Sequence, residues 1–259
     1  MANKTQIAIR NALENYIDPQ NADHPGLYFD RYLKEQNKAG EPISEDASAF
    51  SKHLKNVANI KGNKDAYKQY FHRWHVALRQ LADTSCYLCT ISGRMIIGLG
   101  NESVTETGLT LHHTYGVPYI PGSALKGLTA HFTSNSITFN GAQDQQVRKI
   151  LFGSSDESGF ITFHDALPDP ADFDIIEDIM TPHHQKYYSG ENISPGDFDS
   201  PVPISFLSVH GTFHVALTGP EAWRKCSKEL LTEAIQQEGI GAKTSSGYGR
   251  GTIANCSIK

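Results

Sequence analysis

Cysteine is scarce, four in 259 residues, which is too few for a disulfide framework in a chain of this length. No run approaches the roughly eighteen apolar residues a membrane-spanning helix needs. The opening Met1-Ala2-Asn3-Lys4-Thr5 leads into an amphipathic pattern, not the apolar core of an export signal. These absences predict a cytoplasmic protein with reduced thiols and no membrane association. Positive charge is not in excess either. Lys and Arg number 23 against 28 Asp and Glu, a net charge of −5, which excludes a protein that coats polyanions indiscriminately. No segment recurs at a period of about 20 to 50 residues, so solenoids are excluded. Cys86 and Cys89 are spaced C-x-x-C, as in half a zinc site or a redox pair. No second pair exists, and Cys226 and Cys256 stand alone, so free thiols are expected.

What charge there is comes in blocks. Lys52, Lys55, Lys61, Lys64, Lys68, Arg73 and Arg79 face the single acid Asp65, while between Asp156 and Asp199 eleven acids face the single base Lys186. Such blocks matter more than their sum. The basic block suits RNA; the acidic one is expected to face solvent or a basic partner.

The densest chemistry is Gly239-Ile240-Gly241-Ala242-Lys243-Thr244-Ser245-Ser246-Gly247-Tyr248-Gly249-Arg250-Gly251, with five glycines in thirteen residues. Glycines let a backbone approach a ligand closely, and successive N–H groups make an anion-binding concavity. Lys243 and Arg250 bring charge, the hydroxyls bring donors and Tyr248 brings a stacking face, a set suited to a phosphodiester backbone. A Walker A loop needs Gly before its Lys-Ser/Thr, and here Ala242 stands there. A dinucleotide fingerprint needs a third Gly where Thr244 stands. No cofactor is therefore expected.

Residues 1 to 82 read as helices. Ile9, Leu13, Tyr16 and Ile17 make one stripe, and Tyr28, Phe29, Tyr32 and Leu33 a second. Ser44 is a cap for a helix bearing Phe50, Leu54, Val57 and Ala58. A fourth helix carries Tyr67, Tyr70, Phe71, Trp74, Ala77, Leu78 and Leu81. That aromatic spacing predicts core packing, and His53, His72 and His75 lie among these residues with no metal-like set of partners. After Asp83 the texture turns β-rich: Tyr87 to Leu99, then Gly159 to Ala166, Pro203 to Leu217 and Thr252 to Ile258 read as strands. Helices start at Ser123 and Pro220, and Gly239 stops the second. From residue 85 the order is strand, helix, strand, strand, helix, strand, which is the α+β ferredoxin-like, or RNA-recognition-motif-like, arrangement. It predicts a helical N-terminal extension over 1–82 and a core domain over 83–259, interrupted by a long acidic insertion over 167–201. Asp172, Asp174, Glu177 and Asp178 in that insertion fit no Mg²⁺ or Ca²⁺ loop pattern, so no metal is expected.

One local rule is broken at Ile120-Pro121-Gly122-Ser123-Ala124-Leu125-Lys126-Gly127. Helix starts prefer acids, yet none occurs from Tyr115 through Phe139, and Lys126 occupies the first turn. Free N–H groups plus an ammonium make a phosphate site.

Together the two glycine-lysine segments resemble the RAMP superfamily of CRISPR-associated proteins, the second its C-terminal glycine-rich loop and the first its entry to the opening helix. The spacing between them, with Gly159 to Pro168, Pro182-His183 and Pro203 to Phe206, is similar to subunits of the type III-B (Cmr) RNA-guided effector. The resemblance covers roughly residues 95–255. It implies a ferredoxin-like domain that holds the 3′ part of a guide RNA in a hetero-oligomeric complex with other Cmr subunits and target RNA, without cutting RNA itself. Carried over by position, it implies RNA contacts from Gly122, Ser123 and Lys126, and from Gly241, Lys243, Thr244, Ser245, Gly247, Tyr248 and Arg250. Some family members are instead metal-independent endoribonucleases with a histidine general acid or base. His112, His113, His131 and His164 are the candidates for that alternative.

Overall fold

The structure, a computed structural model, describes residues 18–33, 47–101, 103, 107–136, 143–181 and 203–256. The stripe from Ile9 to Ile17, the Ser44 cap and residues 182–202 lie outside them. Helix α1 (Pro25–Arg31) is capped by the His24 side chain, which accepts from Leu27 N–H. Helix α2 (Ala47–Asn59) buries Leu54 and Val57 completely. Gly62, at φ 64°, turns the chain into α3 (Lys64–Gln80), capped by Asn63.

Strand β1 (Thr84–Ile91) opens the sheet. Helix α4 (Gly122–Ser136), helix α5 (Gln143–Phe152) and the short β2 (Thr162–Phe163) follow. Then come the long β3 (Leu167–Met180) and β4 (Ile204–Thr218), helix α6 (Glu221–Gln237) and β5 (Gly251–Asn255). Helix α6 ends as the sequence predicts, with Gly239 at φ 79° and its N–H on the Ala234 carbonyl. Among the described residues the five strands form one antiparallel sheet. β4 is its centre. β1 pairs with it from Thr84↔Thr218 to Thr90↔Thr212, and β5 lies outside β1. The other edge of β4 takes β2 at Thr218 and Leu217, then β3 out to Met180↔Ile204.

Strand periodicity sorts the layers. Tyr87, Cys89 and Ile91 point to one face and are buried; a Cβ on Gly251, opposite Ile91, would touch Ile235 of α6. That face is covered by α6, with α4 packed on α6. The opposite face, with His214 opposite Leu88, is covered by α3, whose Phe71 meets the His214 ring edge-on at 4.8 Å. The aromatics of α3 are therefore packing groups, as their spacing predicts. Tyr67 is buried and donates its hydroxyl to the Pro168 carbonyl at 2.6 Å. Covered on both sides, β4 is buried at every residue from Phe213 to Leu217.

Three expectations need correction. The first strand stops at Ile91, because Ser92-Gly93 turns the chain; residues 94–97 run beside the glycine loop instead. Residues 167–180 are not an insertion but β3, in ladder register with β4 across a shift between Pro168 and Phe173. Its aspartates hid the apolar members Phe173, Ile175 and Ile176. The acidic and basic blocks, lastly, meet each other. Glu177 accepts from Ser51 and faces Lys55 at 3.8 Å, and Lys61 lies 3.5 Å from Asp174. Part of each block is spent inside the chain.

Candidate nucleic-acid interface

The glycine loop leaves α6 and folds back on the strap after β1. Ala242 N–H donates to the Ile96 carbonyl and Gly249 N–H to that of Arg94, at 2.8 and 2.7 Å. Two of its glycines are there for these close approaches. A Cβ on Gly241 would lie 2.1 Å from the Ile96 oxygen, and one on Gly249 1.9 Å from the Ile240 oxygen. Gly247 is different: it is exposed, at φ 90°, with nothing within 4 Å of a Cβ.

The tip is a 3₁₀ turn over Thr244–Ser246 preceded by Lys243, a non-glycine residue at φ 57°. The N–H groups of Ser246, Gly247 and Tyr248 are used within the turn. Those of Lys243, Thr244 and Ser245 have no partner among the described residues, nor does the Lys243 ammonium. Three N–H groups without a described partner thus stand in succession at the tip, while those of Gly241 and Arg250 are likewise unpaired among the described residues.

Tyr248 and Arg250 are more constrained than the sequence suggests. The Tyr248 hydroxyl donates to Asp178 Oδ2 at 2.7 Å, its ring meets Phe206 edge-on, and Arg94 approaches the same carboxylate oxygen at 2.7 Å. Burial and the Asp178 hydrogen bond push the Tyr248 phenol up to about 12. Burial raises the Asp178 pKa, but hydrogen bonds from Tyr248, Arg94 and the Ile179 N–H outweigh it and hold the carboxyl below its usual range. Arg250 donates to the Gln236 carbonyl at 3.0 Å, satisfying the C-terminal turn of α6. Arg94, Asp178, Ser246, Gly247 and Tyr248 line a shallow cleft of about 320 Å³. Arg94 is the member that sequence reading missed; its place in a turn three residues past β1 was the only signal.

The α4 start reads differently. Ser123 is not its cap, since the helix already begins at Gly122. Gly122 is buried, a Cβ there would lie 2.1 Å from the Phe163 oxygen, and its N–H donates to Asp165 Oδ1 at 2.7 Å. The acid that the local sequence lacks is supplied from the turn between β2 and β3. Gly122 therefore packs against protein. Ser123 is exposed and Lys126 half-buried without an ion-pair partner among the described residues. No described hydrogen bond or ion pair joins this turn to the Lys243 loop.

The histidines lie apart. His112 accepts from Thr114 N–H within a cluster of Tyr70, Tyr115 and Tyr119, and His164 Nε2 is 2.8 Å from Thr218 Oγ1. No histidine is among the described hydrogen-bond partners of the glycine loop. Cys86 and Cys89, three apart on β1, point to opposite faces and cannot form a pair. All four cysteines are free, and burial pushes the Cys89 thiol up to about 12. His75 does have neighbours with metal-binding chemistry, contrary to expectation: His214 and Cys256, which the sheet brings to it from far along the chain.

The chain belongs to the RAMP superfamily, whose family model matches residues 88–252, a span that includes both glycine-lysine segments. Within that class it is 33% identical over 249 residues to the CRISPR system Cmr subunit Cmr6 of Pyrococcus furiosus, covering 72% of each chain. It is 27% identical over 170 residues to the Cmr6 subunit of Saccharolobus solfataricus, covering 63% of this chain and 57% of that one. Its fold is similar to a chain in the cryo-EM structure of the type III-B Cmr-beta complex bound to cognate target RNA, with a TM-score of 0.61 and 21% identity. That match covers 81% of this chain and 72% of the other. No described helix is long and apolar enough to cross a membrane.

Proposed function

We propose that the chain is a non-catalytic RNA-binding subunit of a type III-B Cmr complex, in the place of the sixth subunit, holding the 3′ part of the guide RNA and capping the backbone. Its partners are guide RNA, target RNA and the other Cmr subunits. Residues 83–259 form a ferredoxin-like domain in this reading, and residues 1–82 a helical addition to it. The strand order β5-β1-β4 with β2 and β3 outermost, linked by α4 and α6, supports that topology. The relatives named Cmr6 support the assembly.

The observation that carries RNA binding is the Lys243 turn: three N–H groups and an ammonium with no partner among the described residues, on a loop clamped at both ends. Such a turn takes a phosphate without reading a base. Lys126 and Ser123 supply contacts from α4, and Gly241 and Gly247 shape the loop. A cutting role needs a general acid or base at the bound phosphate, and the loop's described partners offer Arg94 and Asp178, not histidine. Two measurements test the reading. The tagged chain is expected to bring guide RNA and Cmr subunits through purification, and incubation with repeat-containing RNA, without metal, is expected to leave that RNA intact. Cleavage would favour the endoribonuclease alternative; purification free of RNA and subunits would overturn the proposal.

A further inference from the structure

On the sheet face under α3, three side chains from distant positions converge. His75 comes from α3, His214 from the middle of β4 and Cys256 from the residue after β5. One ligand-capable atom of each lies within 4.8 Å of the other two. His214 is only 8% exposed, and its Nε2 is held by Asp169 Oδ2 at 3.2 Å. Its Nδ1 is left buried with no partner among the described residues, and so is Nε2 of His75. A buried imidazole nitrogen without a partner is costly, and two side by side call for a shared occupant. The rings are also fixed. His75 and His214 meet at 5.3 Å and 89°, Phe71 stacks on His75, and Trp74 packs beside it.

We propose that His75, His214 and Cys256 form a binding site for a zinc-like divalent cation. Two imidazoles and a thiolate are the donor set of a borderline-soft, tetrahedral ion, and three protein ligands leave the fourth position to solvent. Asp169 is then the positioning residue. A carboxylate on the far nitrogen of a ligating histidine fixes its tautomer and raises its basicity. The ion ties α3 to the central strand and to the end of the last one, so it binds the folded chain and not the unfolded one, and it raises the melting temperature. This site is separate from the Lys243 loop and does not depend on any RNA-binding role.

The test uses the full, tag-free chain in a non-thiol reductant. Titration with cobalt(II) is expected to give one equivalent bound, a thiolate-to-cobalt charge-transfer band and a higher melting temperature; zinc(II) is expected to displace the cobalt. Because His214 is deeply buried, the variants are the milder ones, with folding checked by circular dichroism. Cys256→Ser is expected to lose the charge-transfer band. His75→Ala and Asp169→Asn are each expected to weaken cobalt binding by about 10- to 100-fold. Failure of the wild-type chain to bind a stoichiometric ion, or unchanged binding in both folded H75A and C256S, overturns the proposal.

Discussion

The chain offers a glycine-lysine signature twice, at 122–126 and at 239–243, and the fold treats the two in opposite ways. At the α4 start the leading N–H is already committed to Asp165, and the glycine is pressed against the backbone of β2. At the loop the glycines perform the same packing, but the turn they hold out keeps three N–H groups and an ammonium without a partner among the described residues. A motif rich in donors is an anion site only where the fold leaves those donors unused. That distinction lies in the tertiary contacts, not in the spacing.

The largest effect expected is on packing, and it should be common to both segments. Gly249→Ala drives a Cβ into the Ile240 oxygen at a positive φ, and Gly122→Ala drives one into that of Phe163. Each is expected to cost on the order of 3 kcal/mol, read as a lowered melting temperature. Gly247→Ala meets open space and should cost only about 1 kcal/mol of backbone strain. Equal losses at Gly247 and Gly249 would erase the division between clamp and tip.

Next comes the contrast in RNA binding. Lys243→Ala is expected to weaken guide-RNA binding uniformly across sequences and to lower the slope of log affinity against log salt by about 1. Lys126→Ala should change that slope less, since its helix start is already neutralised. The Asp165→Ala exchange is expected to destabilise the chain by about 1 kcal/mol, as loss of a helix-start acceptor does, and to make Lys126 matter more for RNA. An unchanged Lys126 effect in that background would break the argument from spent donors.

The smallest effect is on pH. The Asp178 carboxyl has its folded pKa below the unfolded value of about 3.9. Its contribution is therefore fully present above that value and is lost as pH falls through the folded one. Melting curves at decreasing pH should show the loss, and Asp178→Asn should remove it.

Much of the fold was legible. Gly239 and Pro220 marked helix ends, and the apolar spacing of Leu54 and Val57 marked a buried stripe. The run from Pro203 to Leu217 marked a strand, though not that His214 and Ala216 within it are buried on both faces. Within the glycine loop the residue types pointed to an anion turn, but which N–H groups are free depends on Arg94 and Ile96, over a hundred positions away. The acidic stretch misled because charge was read as solvation. Glu177 has Lys55 of α2 and Asp174 has Lys61 of the turn after it as neighbours, and Asp178 anchors Tyr248. His75, His214 and Cys256 are far apart in sequence, and only the β1–β4 and β1–β5 ladders make them neighbours.

With a partner on either edge and a helical layer over either face, the stretch of β4 from Phe213 to Leu217 is buried throughout. Its amide protons between Phe213 and Leu217 should exchange only when the whole molecule opens, and so more slowly than any in the loop that leaves α6. The chain thus presents its most labile donors on a frame whose least labile ones lie a few strands away.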